Sequence, residues 1–119
     1  MHWRDLDLWQ SSHDFVKKIY KYTSDFPEEE KYGLTSQLKR AAVSIPTNIV
    51  EGFSRKTTKE YLQFLYNSRG SLEEVRYLLL LSKELKFLCE DKYKELDRLP
   101  EDISKMLNGL ISALKKKLL

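Results

Sequence analysis

From about Thr57 to about Leu85 the apolar residues recur every three or four positions without a break, and this long run constrains the fold more than any other feature of the chain. One stripe contains Tyr61, Leu65, Ser68, Leu72, Val75 and Leu79, and Leu62, Phe64, Leu78, Leu80 and Leu81 lie beside it. Such spacing returns to one face of an α-helix and never alternates by two as a strand would. Thr57 stands three residues before Glu60, the spacing of a capping box, so the start is marked as well. The run Leu78–Leu81 is apolar all round, and a helix like that is buried on more than one side. Four helices in a chain of 119 residues cannot bury one of their members completely. The spare face therefore predicts a partner subunit, with Leu78, Leu80 and Leu81 as interface residues. Gly70, inside the same helix, costs about 1 kcal/mol relative to alanine, which a close helix–helix approach would explain.

Three further segments carry the same period. The first runs from about Leu6 to Tyr22 with Leu8, Trp9, Phe15, Val16, Ile19 and Tyr20 on its stripe, and it stops before Pro27. The second opens on Glu28, Glu29 and Glu30, acids suited to the positive end of a helix dipole, and ends near Gly52. Its stripe of Leu34, Leu38, Ala41, Ala42, Ile45, Ile49 and Phe53 continues across Pro46. That predicts one helix kinked at Pro46 rather than two helices. The fourth runs from about Glu90 to Lys117, with Ile103, Met106, Leu107, Leu110, Leu114 and Leu118 as its stripe and Lys115–Lys117 at its end. Within it, Pro100 followed by two acids reads as a fresh start or a kink. Four glycines and three prolines are too few for the turns of an all-β sandwich. The expected fold is all-α, an antiparallel up-down four-helix bundle forming one domain over residues 1–119.

Few residues offer chemistry. His2 and His13 have no histidine or cysteine partner at metal-ligand spacing. The single Cys89 excludes an intramolecular disulfide, and no basic helix start or histidine stands near it to lower its pKa. Glu73 and Glu74 point apart on a helix and lack the Glu-x-x-His pattern of di-metal bundles. No phosphate loop, nucleophile elbow or dinucleotide fingerprint occurs. No enzyme and no cofactor are expected. No apolar stretch approaches the ~18 residues of a membrane span, and the opening MHWRDLDLWQ has no apolar core of a secretory signal. A cytoplasmic location without membrane attachment is the expectation.

Charge is unevenly placed. Residues 34–72 hold six basic and two acidic side chains, whereas residues 1–33 hold five and seven. The six are Lys39, Arg40, Arg55, Lys56, Lys59 and Arg69, candidates for phosphate contact or else a solvated face. Around Pro46, Arg40, Ser44, Asn48 and Glu51 share one helix face. They read as a polar network around the proline, in which Ser44 or Asn48 bonds the freed backbone; a recognition strip is the alternative.

The stretch QLKRAAVSIPTNIVEGFSR and the later EYLQFLYNSRGSLEEV resemble the 23S rRNA intervening-sequence proteins, small bacterial four-helix-bundle proteins. Arg40–Pro46, Asn48–Gly52 and Phe64–Glu73 answer to that family's two motifs, with Val50 and Ser68 where the pattern has alanine. The resemblance extends to the terminal MLNGLISALK. It implies a closed bundle assembling as a homopentamer. It also implies a fold similar to the accessory variability protein of diversity-generating retroelements, which forms a positively charged barrel and binds reverse transcriptase and nucleic acid. The expected function is then a ring-forming, non-enzymatic protein that contacts RNA or a nucleoprotein. The rival is an interaction scaffold without nucleic acid.

Overall fold

Helix-period stripes of apolar residues become four helices in the computed structural model, which describes residues 1–119: α1 Asp7–Thr23, α2 Leu34–Phe53, α3 Thr58–Glu84 and α4 Glu90–Lys116. Short 3₁₀ turns at Trp3–Asp5 and Glu28–Glu30 are the only other regular elements, and there is no strand. Each helix packs on its chain neighbours and α1 closes onto α4, while the diagonal pairs stay apart. Short connections make those neighbours antiparallel. The resulting bundle measures 48 × 24 × 21 Å.

The core is one cluster of 22 buried apolar residues drawn from all four helices. Leu65, Leu72, Val75 and Leu79 of the α3 stripe are almost fully buried, as are Ile103 and Leu107 of α4. Five buried hydroxyls lie in the fold; four find a carbonyl and Thr35 Oγ1 has no partner. Ser12 Oγ donates to Leu8 O, Thr23 Oγ1 to Ile19 O and Ser82 Oγ to Leu78 O, all one turn back along the same helix. Ser68 Oγ instead crosses from α3 to Ile45 O of α2 at 3.0 Å. Burying these groups unpaired would cost about 1–3 kcal/mol each.

Several expectations need correction. Glu28–Glu30 do not open α2; they form a separate 3₁₀ turn, and α2 starts at Leu34. Glu30 still acts on that helix, because its Oε1 accepts from Leu34 N at 3.1 Å. Pro100 does not start a new helix, since α4 runs unbroken through it; α2 likewise runs through Pro46 as the single helix expected there, and both prolines are buried. Leu118 lies beyond α4 and is exposed. The capping box at α3 is half formed. Glu60 N donates to Thr57 Oγ1 at 3.1 Å, but the return bond runs from the hydroxyl to Glu60 Oε2 rather than from the backbone.

Leu78 is the most consequential correction. A single chain buries it to 2% exposure and Leu79 to 1%, and Leu81 is half-buried against the core. Only Leu80, at 37%, stays on the surface. Leu78 is therefore a core residue and not part of a spare face. The α3 surface that does remain apolar comprises Tyr77, Leu80 and Leu85. Tyr77 and Leu80 are one turn apart, and Leu85 caps the helix just beyond Glu84.

α3 ends in a Schellman motif. Phe87 N donates to Ser82 O and Lys86 N to Lys83 O, both at 2.9 Å. The motif puts its penultimate position in the left-handed region, and Lys86 occupies it with φ 67°. A side chain there is strained, and glycine removes the strain. Lys86→Gly is expected to raise stability by about 1 kcal/mol, read as a higher urea midpoint with an unchanged slope.

Opposite this turn, α1 and α4 are tied by a carboxylate. Glu95 accepts from Tyr22 Oη and from Lys18 Nζ at 3.1 Å. The tyrosine bond and then the lysine bond hold the Glu95 carboxyl below its usual pKa, and the same bond raises that of Tyr22.

Candidate nucleic-acid interface

Six cations were singled out by charge counting, and the bundle distributes them over three places. Arg55, Lys56 and Lys59 gather at the α2–α3 turn, all exposed. Arg55 and Lys56 stand in the connection itself, and Lys59 is in the first turn of α3. Arg69 lies on the α3–α4 side, donating to Asn108 Oδ1 of α4 at 3.1 Å. Lys39 and Arg40 sit in the first half of α2. Thirteen residues of helix separate Arg40 from Phe53, roughly 20 Å at the α-helical rise. The six are thus not one continuous patch.

One property is common to all six and a second to half of them. None has a carboxylate within 4.0 Å, whereas Lys17, Lys18, Arg76, Lys83 and Lys92 are all ion-paired. Three of them also stand over aromatic rings: Lys39 over Tyr20 at 4.7 Å, Arg55 over Phe64 at 4.6 Å and Arg69 over Tyr66 at 5.1 Å. Ring faces hold such side chains along the surface and keep their charge available to solvent.

The polar network around Pro46 forms with fewer members than expected. Asn48 Nδ2 donates to Ser44 O at 2.8 Å and to Ser44 Oγ at 2.9 Å, and Ser44 Oγ pairs with Ser71 Oγ at 2.8 Å. Arg40 and Glu51 do not join; both are exposed, and neither side chain makes a hydrogen bond within the network. Nor do these groups bond the Ala42 carbonyl that Pro46 frees. The side-chain donors go to the next three carbonyls: Thr47 Oγ1 to Val43 O, Asn48 Nδ2 to Ser44 O and Ser68 Oγ to Ile45 O. They reinforce the turn that the proline weakens. They also leave one hydroxyl proton of the Ser44–Ser71 pair without a protein acceptor, whichever serine donates.

Sequence reading missed the groove beside that network. It runs along the α1–α2 seam with a volume of about 640 Å³. Tyr20 and Tyr32 flank it, and Lys31, Lys39 and Arg40 supply its charge. Tyr20 was expected on the core stripe of α1 but is 47% exposed, and Tyr32, in the turn before α2, is 89% exposed. The periodicity placed Tyr20 at the margin of its stripe, and the seam leaves that margin open. The expected start of the second helix at Glu28 put Lys31 and Tyr32 inside it, so no sequence signal marked them as groove residues.

No three His, Cys, Asp or Glu side chains are grouped so as to hold a metal ion. Cys89 is exposed. No helix is long and apolar enough to cross a membrane.

Comparison with known proteins places the chain. The family model described as 23S rRNA-intervening sequence protein matches residues 4–109, a span that takes in α1, α2, α3, α4 as far as Gly109 and all six cations. The chain belongs to the 23S rRNA-intervening sequence protein family. A solved relative in fold is the crystal structure of a protein of unknown function from the S23 ribosomal protein family of Bacteroides thetaiotaomicron. It is 21% identical, with a TM-score of 0.78 over 87% of this chain and 97% of that one. No curated protein matches the sequence. For this family member the shared property is the bundle itself, including the antiparallel α2–α3 pair that carries both motifs.

Proposed function

We propose that this 23S rRNA-intervening sequence protein is a non-enzymatic cytoplasmic bundle that assembles as a homopentameric ring and contacts RNA or a nucleoprotein through its mid-chain cations. The observation that carries this reading is the local charge excess: residues 34–72 hold six cations against two acids, and none of the six is ion-paired, a property shared by ten of the other fifteen cations. A carboxylate beside each would have neutralised the field; its absence leaves every charge free for a phosphate. The densest cluster is Arg55, Lys56 and Lys59, and a ring repeats it once per subunit. The place of the Bacteroides protein in a ribosomal protein family points toward the same RNA setting. Self-association rests on the apolar α3 surface at Tyr77, Leu80 and Leu85.

Structured RNA is expected to bind, with affinity falling steeply between about 50 and 200 mM salt. Replacing Arg55, Lys56 and Lys59 together with glutamine should weaken binding and lower the slope of log affinity against log salt by about 2–3. Absence of binding at low salt, or a slope untouched when all six mid-chain cations are replaced by glutamine, would refute the reading, whereas a slope untouched by the triple substitution alone moves the contact off the α2–α3 turn.

A scaffold without nucleic acid is the second reading. It is favoured by a shallow apolar cleft of about 230 Å³ at the α1–α2 seam, lined by Trp9, Val16, Val43 and Val50. Recovery of one defined protein partner after nuclease treatment, with no RNA bound, would support it instead.

A further inference from the structure

The α1–α2 groove has a composition unlike the rest of the surface. Three cations line it, Lys31, Lys39 and Arg40, and no carboxylate does. The nearest acids in sequence are Glu28–Glu30, and the Glu30 carboxylate is engaged in capping α2 through Leu34 N. Glu74 stands on α3, across a separate cleft that Arg40 also borders, and forms no ion pair with it. The groove's own lining therefore carries three positive charges and no negative one, and Glu74 belongs to the neighbouring cleft that shares Tyr32, Ser36, Arg40 and Ser44 with it.

Aromatic rings stand beside those charges. Lys39 Nζ sits 4.7 Å from the Tyr20 ring centroid and Lys31 Nζ 5.6 Å from that of Tyr32. Each ring has an ammonium over one face, and the exposure of Tyr32 leaves the other face to solvent. Thr35, which also lines the groove, has the one buried side-chain oxygen in the protein without a hydrogen-bond partner.

We infer that this groove is a nucleotide-binding channel for single-stranded RNA, with phosphates held by Lys31, Lys39 and Arg40 and a base stacked on Tyr32, the next reaching Tyr20. This rests on the RNA reading proposed above and specifies the strand it takes. Cations tracking a backbone beside aromatic platforms are what single-strand binding requires, because every base offers a ring face. The volume of about 640 Å³ lies within the range of small-ligand sites and suits one or two nucleotides. A duplex keeps its base faces stacked inside, so it cannot use the tyrosines. It can meet only the charges.

The test is fluorescence anisotropy of a labelled short single strand and of the same sequence closed into a duplex, on the full chain across a salt series. The single strand is expected to bind more tightly. Tyr32→Ala should weaken it about 5- to 100-fold, the worth of one stacked base, while leaving duplex binding unchanged. Tyr32→Phe, which keeps the ring, should restore it. Lys39→Gln and Arg40→Gln should each lower the single-strand salt slope by about 0.7. All these side chains lie at the surface, so circular dichroism should be that of the wild type. The groove assignment is overturned if RNA binding responds to the Arg55, Lys56 and Lys59 substitutions but not to Tyr32→Ala or Arg40→Gln. It falls together with the RNA reading if the wild type binds neither probe at low salt.

Discussion

Leu78→Ala is expected to lower folding stability by about 2–5 kcal/mol, and Leu80→Ala, two positions along the same helix, by less than about 1 kcal/mol. The two leucines belong to one apolar run and differ only in direction. Leu78 is 2% exposed inside the core cluster, so truncation removes buried contacts and leaves a cavity that its packed neighbours fill only in part. Leu80 is 37% exposed and loses little when shortened. Chemical denaturation of the two variants measures the difference directly. Solution mass then separates folding from assembly. Leu80→Lys places a charge in the apolar strip of Tyr77, Leu80 and Leu85. If that strip carries the proposed ring, this substitution dissociates it and leaves each subunit folded. A Leu80→Lys protein of unchanged mass moves the assembly face elsewhere, the α1–α2 seam being the next apolar surface. A Leu78→Ala protein of near-normal stability would contradict the packing itself.

The pair also shows how far residue order reveals this fold. Helix number and type follow from periodicity, and the α3 start follows from Thr57 and Glu60. The direction of each leucine in an all-apolar run does not, since any face of such a run satisfies the pattern. Burial of Ser12, Thr23 and Ser82 is hidden for a related reason, whereas Ser68 already stands on the α3 stripe. A hydroxyl looks polar in sequence, yet a carbonyl in the preceding turn or on a neighbouring helix satisfies it at about 3 Å and lets it enter the core. The acids Glu28–Glu30 carry a valid helix-start signal but meet Gly33, whose backbone at φ −110°, ψ −113° delays α2 to Leu34. At the candidate interface, counting charges finds the six cations. It cannot find that helical rise scatters them, or that Tyr20 and Lys39, distant in sequence, meet across the α1–α2 seam.

Glycines give the last and sharpest contrast. Gly52→Ala is expected to destabilise the protein by about 1–3 kcal/mol, and Gly70→Ala to stabilise it by about 1 kcal/mol. Both glycines lie within helices, and alanine is the better helix former at each. At Gly52, however, an added Cβ would stand 2.9 Å from Tyr61 Cδ1 and 3.0 Å from Phe64 Cβ. The Tyr61 ring can rotate only against Phe53, which it meets edge-on with centroids 6.3 Å apart. Phe64 Cβ is fixed to the α3 backbone, so relief requires the two helices to move apart. Gly52 is therefore the site of close α2–α3 approach, a role that residue spacing suggested for Gly70. It does not end the helix by a left-handed turn, since no glycine here has positive φ. Around Gly70 nothing lies within 4 Å of an added Cβ. Thermal melting separates the outcomes, with a shift of roughly 4 °C per kcal/mol for a domain of this size. A rise for both variants would show that α2 and α3 have slack to give at Gly52. A fall for Gly70→Ala, accompanied by a smaller solution mass, would place a neighbouring subunit's backbone on that glycine in the assembled form.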